Sequence, residues 1–347
     1  MKEVYLNIQT NNMNIIQVAT GLITIPPNGW GAVERIIWEY KQALEPLGNV
    51  VDIKYTNELE KLPNTIVHTH MANQALYCKE RDIPYIYSLH DHHVEWYGKD
   101  SWVYKQNLLA IKGSVISITH TEHYLDYFDT TDKLFYLRHG ANTEFFTPDY
   151  APKTHSLLML ANNGLAGDAG IDRKGFRYGI EAAERMGLPI TIAGHTDNQN
   201  FFNIHTELTT YKKLTLKLTN PTDEEIKELY QTHSIFLHPS MLEGGHPNLT
   251  LCEAIASGLP IVGTYKGSTP VPGMHVIDDI TTEAVTDGIV NVIHSYDKRR
   301  EEIFAAREQF SWRHVAKTLH KYYENVLKVD EKYDSERTKQ LYIETYA

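Results

Sequence analysis

One feature constrains the fold of this chain more than any other: short apolar runs alternate with longer amphipathic stretches almost from end to end. The runs are Asn14–Val18, Val50–Tyr55, Thr65–His68, Tyr85–Leu89, Ser114–Thr119 and Leu134–Leu137, then Ser156–Leu160, Ile190–Ala193, Leu214–Leu218, Ser234–His238, Pro260–Thr264 and His275–Ile277. Between them lie helical patterns such as Ala32–Leu47, Gly175–Met186 and Asp223–Thr232, the last opened by the capping box Thr222-Asp-Glu-Glu225. Alternating strands and helices build parallel sheets covered on both faces. The expected fold class is therefore α/β, with two Rossmann-like doubly wound domains facing a cleft. A length of 347 residues suits two cores rather than one. The join falls in "TPDYAPK", Thr147–Lys153, which gives an N-terminal domain over 1–150 and a C-terminal domain over 151–312.

Composition narrows the partners. A net charge of −11 argues against a bulk polyanion, so a nucleic-acid acceptor is not expected. The apolar runs are too short to span a bilayer, and "MKEVYLNIQTNNMN" has no apolar signal core. Cys78 and Cys252 are the only cysteines, which fits a reducing compartment and a cytoplasmic location. Asn248-Leu-Thr250 matches a glycosylation pattern that such a compartment leaves unused.

The stretch "MLEGGHPNLTLCEAIASGLPIVG", Met241–Gly263, carries the clearest chemistry. Gly244, Gly245, His246 and Pro247 make an irregular loop, and a helix from Leu249 to Ser257 follows, closed by Gly258. With no polar stripe this helix should be buried all round, yet it contains Glu253. A buried Glu needs a partner: either a neighbouring cation or a ligand. A vicinal diol fits, because one carboxylate accepts two hydroxyl protons. The free N–H groups near Asn248 and Leu249 would stabilise a diphosphate, so diol and diphosphate together describe a ribonucleotide.

Two further places suit phosphate. Gly29-Trp-Gly31 lies between a strand and a helix, where amides can approach an oxyanion, although a plain turn reads the same way. Arg173 and Lys174 open a helix whose dipole they oppose, so a bound anion explains them better than capping does. Among 18 histidines, His68-Thr-His70 and His90-Asp-His92-His93 stand out. A rival reading is a metal-dependent hydrolase with zinc on His68 and His70. Against it, no ordered set of further ligands follows at later strand ends.

The motifs "PPNGWGAVERII", "LRHGANTEFFTP", "DRKGF", "AGHTD" and "PTDEEIKELYQTHSIFLHPS", in this order, resemble those of the GT-B-fold retaining glycosyltransferases of family four. The resemblance runs from Asn14 to about Leu327. It implies a metal-independent transfer of a sugar, a hexose by expectation, from a UDP- or GDP-linked donor to an acceptor hydroxyl with retention. The acceptor is a glycan, glycolipid or small molecule, and no cofactor beyond the donor is implied. A GT-B-fold nucleotide-sugar epimerase is the other alternative. "FSWRHVAKTLHKYYENVL" looks like the family's closing helix, placing 313–347 as a helix that crosses back to the N-terminal domain plus a tail.

Residue by residue, the resemblance makes Glu253 the ribose-binding second glutamate of an E-x7-E motif. It gives Lys174 the diphosphate and His90 ("YIYSLHDHH") the transferred sugar. The sequence departs from the pattern at the first glutamate: Gly245 stands eight residues before Glu253, and Glu243 ten. A loop bulge would let Glu243 serve. A companion Arg is expected where the chain has Asn162-Asn163, and Arg173 is the substitute at hand.

Overall fold

The computed structural model describes residues 12–90, 92–128, 132–149, 154–161, 171–196 and 198–328. Strands β1 (Asn14–Val18), β2 (Val50–Lys54), β3 (Thr65–Thr69), β4 (Tyr85–Leu89), β5 (Ser117–Thr119) and β6 (Leu134–Tyr136) form a six-stranded sheet in the order β2-β1-β3-β4-β5-β6. A second six-stranded sheet comprises β7 (Leu157–Leu160), β8 (Ile190–Ala193), β9 (Leu214–Lys217), β10 (Ile235–His238), β11 (Ile261–Gly263) and β12 (Met274–Val276). Its order is β12-β11-β10-β7-β8-β9. Neighbouring strands run parallel throughout. Helices cover both faces of each sheet, which is why β4 and β10 are buried at every residue and are mostly apolar, with Ser88 and His238 as buried polar exceptions.

In each sheet the winding direction reverses once, between β1 and β3 and between β7 and β10. Ligands of such sheets bind at the carboxyl ends of strands beside that reversal. The carboxyl ends of the two sheets meet across the cleft: His120, just after β5, forms an isolated bridge with Gly245, beyond β10.

Two elements depart from their expected bounds by three residues, each for a local reason. The first helix runs Ala32–Leu44, and Pro46 then tightens the chain into a 3-10 turn, Glu45–Leu47, that Gly48 ends in the left-handed region. The strand expected from Ser114 begins at Ser117, because Ser114 closes the preceding helix, its hydroxyl donating to the Ile111 carbonyl at 2.8 Å.

The helix Trp312–Lys328 returns to the first sheet. It buries Trp312, Val315, Leu319 and Tyr323 in a core with Ile15, Ile36 and Tyr40. The tail 329–347 and positions 150–153 of the expected join lie outside the described residues. Among the described residues no helix is long and apolar enough to cross a membrane.

Candidate functional site

The helix Leu249–Ala256 begins at Asn248, whose side-chain oxygen accepts from the Leu251 amide at 3.0 Å, and Gly258 follows it at φ +76°. The helix is not buried all round. Leu249, Thr250 and Glu253 are half-buried and line a cleft cavity of about 150 Å³ together with Gly29, Arg35 and His195. Among the described residues no cation pairs with Glu253. Its contact is the Tyr230 hydroxyl, 3.1 Å from Oε2 and 3.0 Å from the Thr250 carbonyl.

Burial pushes the Glu253 carboxyl up to about 8; Tyr230 and Arg35 pull it down, Asp223 and Glu39 push it further up. Glu39 is itself raised to about 7 by burial. Tyr230 has one proton to give and two acceptors in reach. A neutral Glu253 resolves this by donating to Tyr230, which then donates to Thr250.

Gly29 and Gly31 both have positive φ, +80° and +123°. A Cβ on Gly29 would meet the Pro221 carbonyl oxygen at 2.5 Å, so only glycine lets this loop touch the other half of the chain. The Gly29 amide does face an oxyanion, but it is Asp223 Oδ1 at 3.2 Å. Arg35 donates to both oxygens of the same carboxylate at 2.6 Å. The only trace of this bridge in the sequence is an Arg one turn into the helix behind the glycine loop. Arg35 and Asp223 are 20% and 33% exposed, so the pair contributes on the order of 1 kcal/mol or less. Asp223→Asn is accordingly expected to shift urea unfolding by no more than that amount. A larger loss would mean that the bridge holds the halves together.

Arg173 and Lys174 are both buried, and the anion beside them is Glu243. Lys174 Nζ donates to Glu243 Oε1, Arg173 Nη1 stands 3.9 Å from that oxygen, and Ser240 Oγ donates to it at 2.6 Å. Burial would raise the Glu243 carboxyl, but Lys174, His238 and Arg173 hold it well below the usual range. Glu243 is therefore no exposed loop carboxylate. The helix Phe176–Met186 needs no further anion at its start, since Asp172 accepts from the Phe176 and Arg177 amides at 3.0 and 2.7 Å. Asn162-Asn163 lies outside the described residues.

The departure at Gly245 has a steric cause. A Cβ there would lie 2.3 Å from His139 Cε1, and one on Gly244 would lie 2.1 Å from the His90 carbonyl oxygen. A glutamate at 245 would displace the rings beneath it. His246, in the same loop, is buried, and its amide donates to the His120 carbonyl at 2.8 Å.

His68 and His70 are not the metal pair of the hydrolase reading. His68 contacts the Tyr323 hydroxyl at 2.7 Å and Ser88 Oγ at 2.8 Å; His70 contacts Gln17 Oε1 at 2.7 Å and His90 Nε2 at 3.0 Å. All four ring nitrogens are engaged. The rings continue in a stack from His90 to His120 and His139, with centroids 4.6 and 4.3 Å apart. His120 and His139 are not among the residues expected from the sequence, although "SITH" and "YLRH" place each at or just after the end of a strand.

Residues 170–308 match the family described as Glycosyl transferases group 1. The matched segment contains Arg173, Lys174, Glu243 and Glu253, whereas His90 lies outside it. No curated protein matches the chain. Sucrose-phosphate synthase from Thermosynechococcus elongatus superposes with a TM-score of 0.71 at 14% identity, covering 92% of this chain and 100% of that one. Starch synthase IV from Arabidopsis thaliana, solved with ADP and acarbose, gives 0.67 at 12% identity, with 91% and 100% covered. Anabaena HepE, solved with UDP and glucose, gives 0.66 at 12% identity, with 90% and 99% covered. At such identities the likeness shows the fold: it is the GT-B arrangement of glycosyltransferases.

Proposed function

We propose that this protein moves a sugar, a hexose by preference, from a UDP- or GDP-linked donor to an acceptor hydroxyl with retention of anomeric configuration. The observation that carries this reading is Glu253: a carboxyl on the cleft cavity, without a cation partner among the described residues, in the helix that follows the Gly244–Pro247 loop of the matched segment. A ribose diol supplies the hydroxyls that such a group lacks. The solved neighbours with ADP or UDP bound support a nucleotide there.

In this reading Lys174 and Arg173 meet the diphosphate and no divalent ion is needed for donor binding. Lys174 has three protons, so a phosphate can share it with Glu243. The acceptor oxygen bonds to the anomeric carbon as the bond to the diphosphate oxygen breaks on the same face, and the acceptor proton passes to that leaving oxygen. His90 meets the sugar with its half-buried ring; Nε2 is held by His70 at 3.0 Å, and Nδ1 has no hydrogen-bond partner among the described residues. A larger cavity of about 870 Å³, with Glu122, Arg138 and Lys266 on its wall, offers room for the acceptor.

Incubation with UDP- and GDP-hexoses and cell extract tests this directly. The expected result is nucleoside diphosphate released in step with a new glycoside whose proton NMR coupling reports the donor's anomeric configuration. An epimerised donor without released diphosphate, or an inverted product, would overturn it.

Acidity gives a second test. Below about 8 Glu253 holds a proton, and above it the carboxylate accepts both diol hydroxyls. Nucleoside diphosphate affinity should therefore rise as pH climbs through about 8 and level off above, and Glu253→Gln should abolish the rise. Calorimetric titrations from pH 6.5 to 9 read this out, and a flat profile in the parent contradicts it.

A further inference from the structure

We propose that the cavity of about 870 Å³ binds a phosphate ester, anchored by Arg138 and backed by the cationic face of the helix Trp312–Lys328. Arg138 lies two residues past the end of β6 and stands half-buried on the cavity wall. Its guanidinium carbon is 5.0 Å from the centre of the Phe310 ring, a cation–π contact that steadies the group without using its N–H donors. Among the described residues no carboxylate or carbonyl accepts from it. The other charges of the wall have their own partners or lie in water. Glu122 accepts from the Ser268 amide and from the Ser268 and Thr269 hydroxyls, and Lys266 Nζ meets Glu95 at 2.8 Å. Asp126 is exposed, where salt and water screen it.

Positive charge continues from Arg138 along the returning helix. His314, Lys317 and Lys321 follow one another by three and four residues and so share a face. Burial first, then Arg138, Lys317 and Lys321, hold His314 below its ordinary value, so the three cations act on one neighbourhood. The nearest acids on and around this helix are taken: Glu144 pairs with Arg313 at 2.7 Å, and Glu324 stands 3.6 Å from His320. None pairs with Lys317 or Lys321 among the described residues. Like charges four residues apart destabilise a helix, and a bound anion relieves them. Arginine takes an oxyanion through two parallel N–H bonds. A phosphate monoester fits this cluster better than a carboxylate does, because it has nearly two negative charges at neutral pH to set against several cations. Pro247 lines the same cavity, so the ester sits against the loop that precedes the Glu253 helix. That the ester is the acceptor of the sugar rests on the proposed transfer; the site itself does not.

The test uses the full chain with isotope-labelled arginine, whose guanidinium N–H signals report each site separately by NMR. Loss of one signal in Arg138→Gln assigns Arg138, and Arg138→Lys supplies the assignment if that variant misfolds. Inorganic phosphate and glucose 6-phosphate should each shift the Arg138 signal, whereas glucose, or chloride at equal ionic strength, should leave it in place. In Lys317→Gln/Lys321→Gln the midpoint of the shift should move several-fold higher in phosphate. Pelleting with phosphatidylcholine vesicles, with and without phosphatidylglycerol, separates the two sources of the ester. A shift with glucose 6-phosphate and no pelleting assigns a soluble ester. Pelleting that needs both phosphatidylglycerol and Arg138, without a shift from glucose 6-phosphate, assigns a lipid headgroup. An Arg138 signal that phosphate moves no more than chloride does overturns the site, as does a response to inorganic phosphate with neither ester bound. Titrating UDP and GDP into the same samples keeps the donor reading separate. Nucleoside diphosphate binding without phosphate at Arg138 sinks only this site, and phosphate at Arg138 without nucleoside diphosphate binding sinks only the donor site.

Discussion

Lys174→Ala is expected to lower stability by about 3–5 kcal/mol and, in the fraction that stays folded, to cut turnover about 100-fold or more. Both effects have one origin. Glu243 is almost wholly buried, and Lys174 is its closest counter-charge, with Arg173 Nη1 at 3.9 Å and His238 Nε2 at 3.4 Å. Removing one partner of a buried pair strands the other charge, which typically costs that much. Turnover falls because a preorganised cation on a leaving group contributes a factor of about 10² or more. Lys174→Met/Glu243→Gln separates the two, since it removes both charges and should recover most of the stability while leaving turnover low. Urea unfolding and steady-state rates on the three proteins decide this. A Lys174→Ala variant as stable as the parent contradicts the buried pair, and a double variant with normal turnover contradicts the role at the diphosphate.

Glu253→Ala is expected to weaken nucleoside diphosphate binding by about 2–3 kcal/mol, roughly 30- to 150-fold, through lost charge-assisted hydrogen bonds. The fold should survive. The Tyr230 hydroxyl keeps the Thr250 carbonyl at 3.0 Å as an acceptor, so the truncation strands no donor. Below about pH 8 the missing group was a neutral acid in the ligand-free protein, which makes its loss mild for stability. Tyr230→Phe should reduce binding far less, because Tyr230 holds the carboxyl without meeting the ribose. Calorimetry on the folded variants checks the ranking, and equal binding by Glu253→Ala returns this residue to a structural role.

The fold is legible because parallel strands covered on both faces concentrate short, mostly apolar runs, and these fall at or within three residues of the observed strands. Ser114 was misplaced because a hydroxyl at a helix end and a residue opening a strand look alike without the Ile111 carbonyl in view. The site was legible residue by residue but not as a set of partners. Arg173, Lys174 and Glu243 were each singled out, yet that they neutralise one another depends on a contact spanning 69 residues. Gly245 looked like a missing glutamate until the His139 ring appeared beneath it. The histidine stack was half seen, since four separate strand ends bring its rings together and sequence spacing records none of that.

The central claim is that this cleft holds a nucleotide by its ribose through Glu253. Calorimetric titration of UDP, GDP and ADP into the parent and into Glu253→Gln, at pH 8.5 and with EDTA present, tests it most directly. One of the three should bind the parent with one-to-one stoichiometry and bind the variant at least about tenfold more weakly, chelator notwithstanding. A folded parent that binds none of them, or a variant that binds as tightly as the parent, would contradict the account.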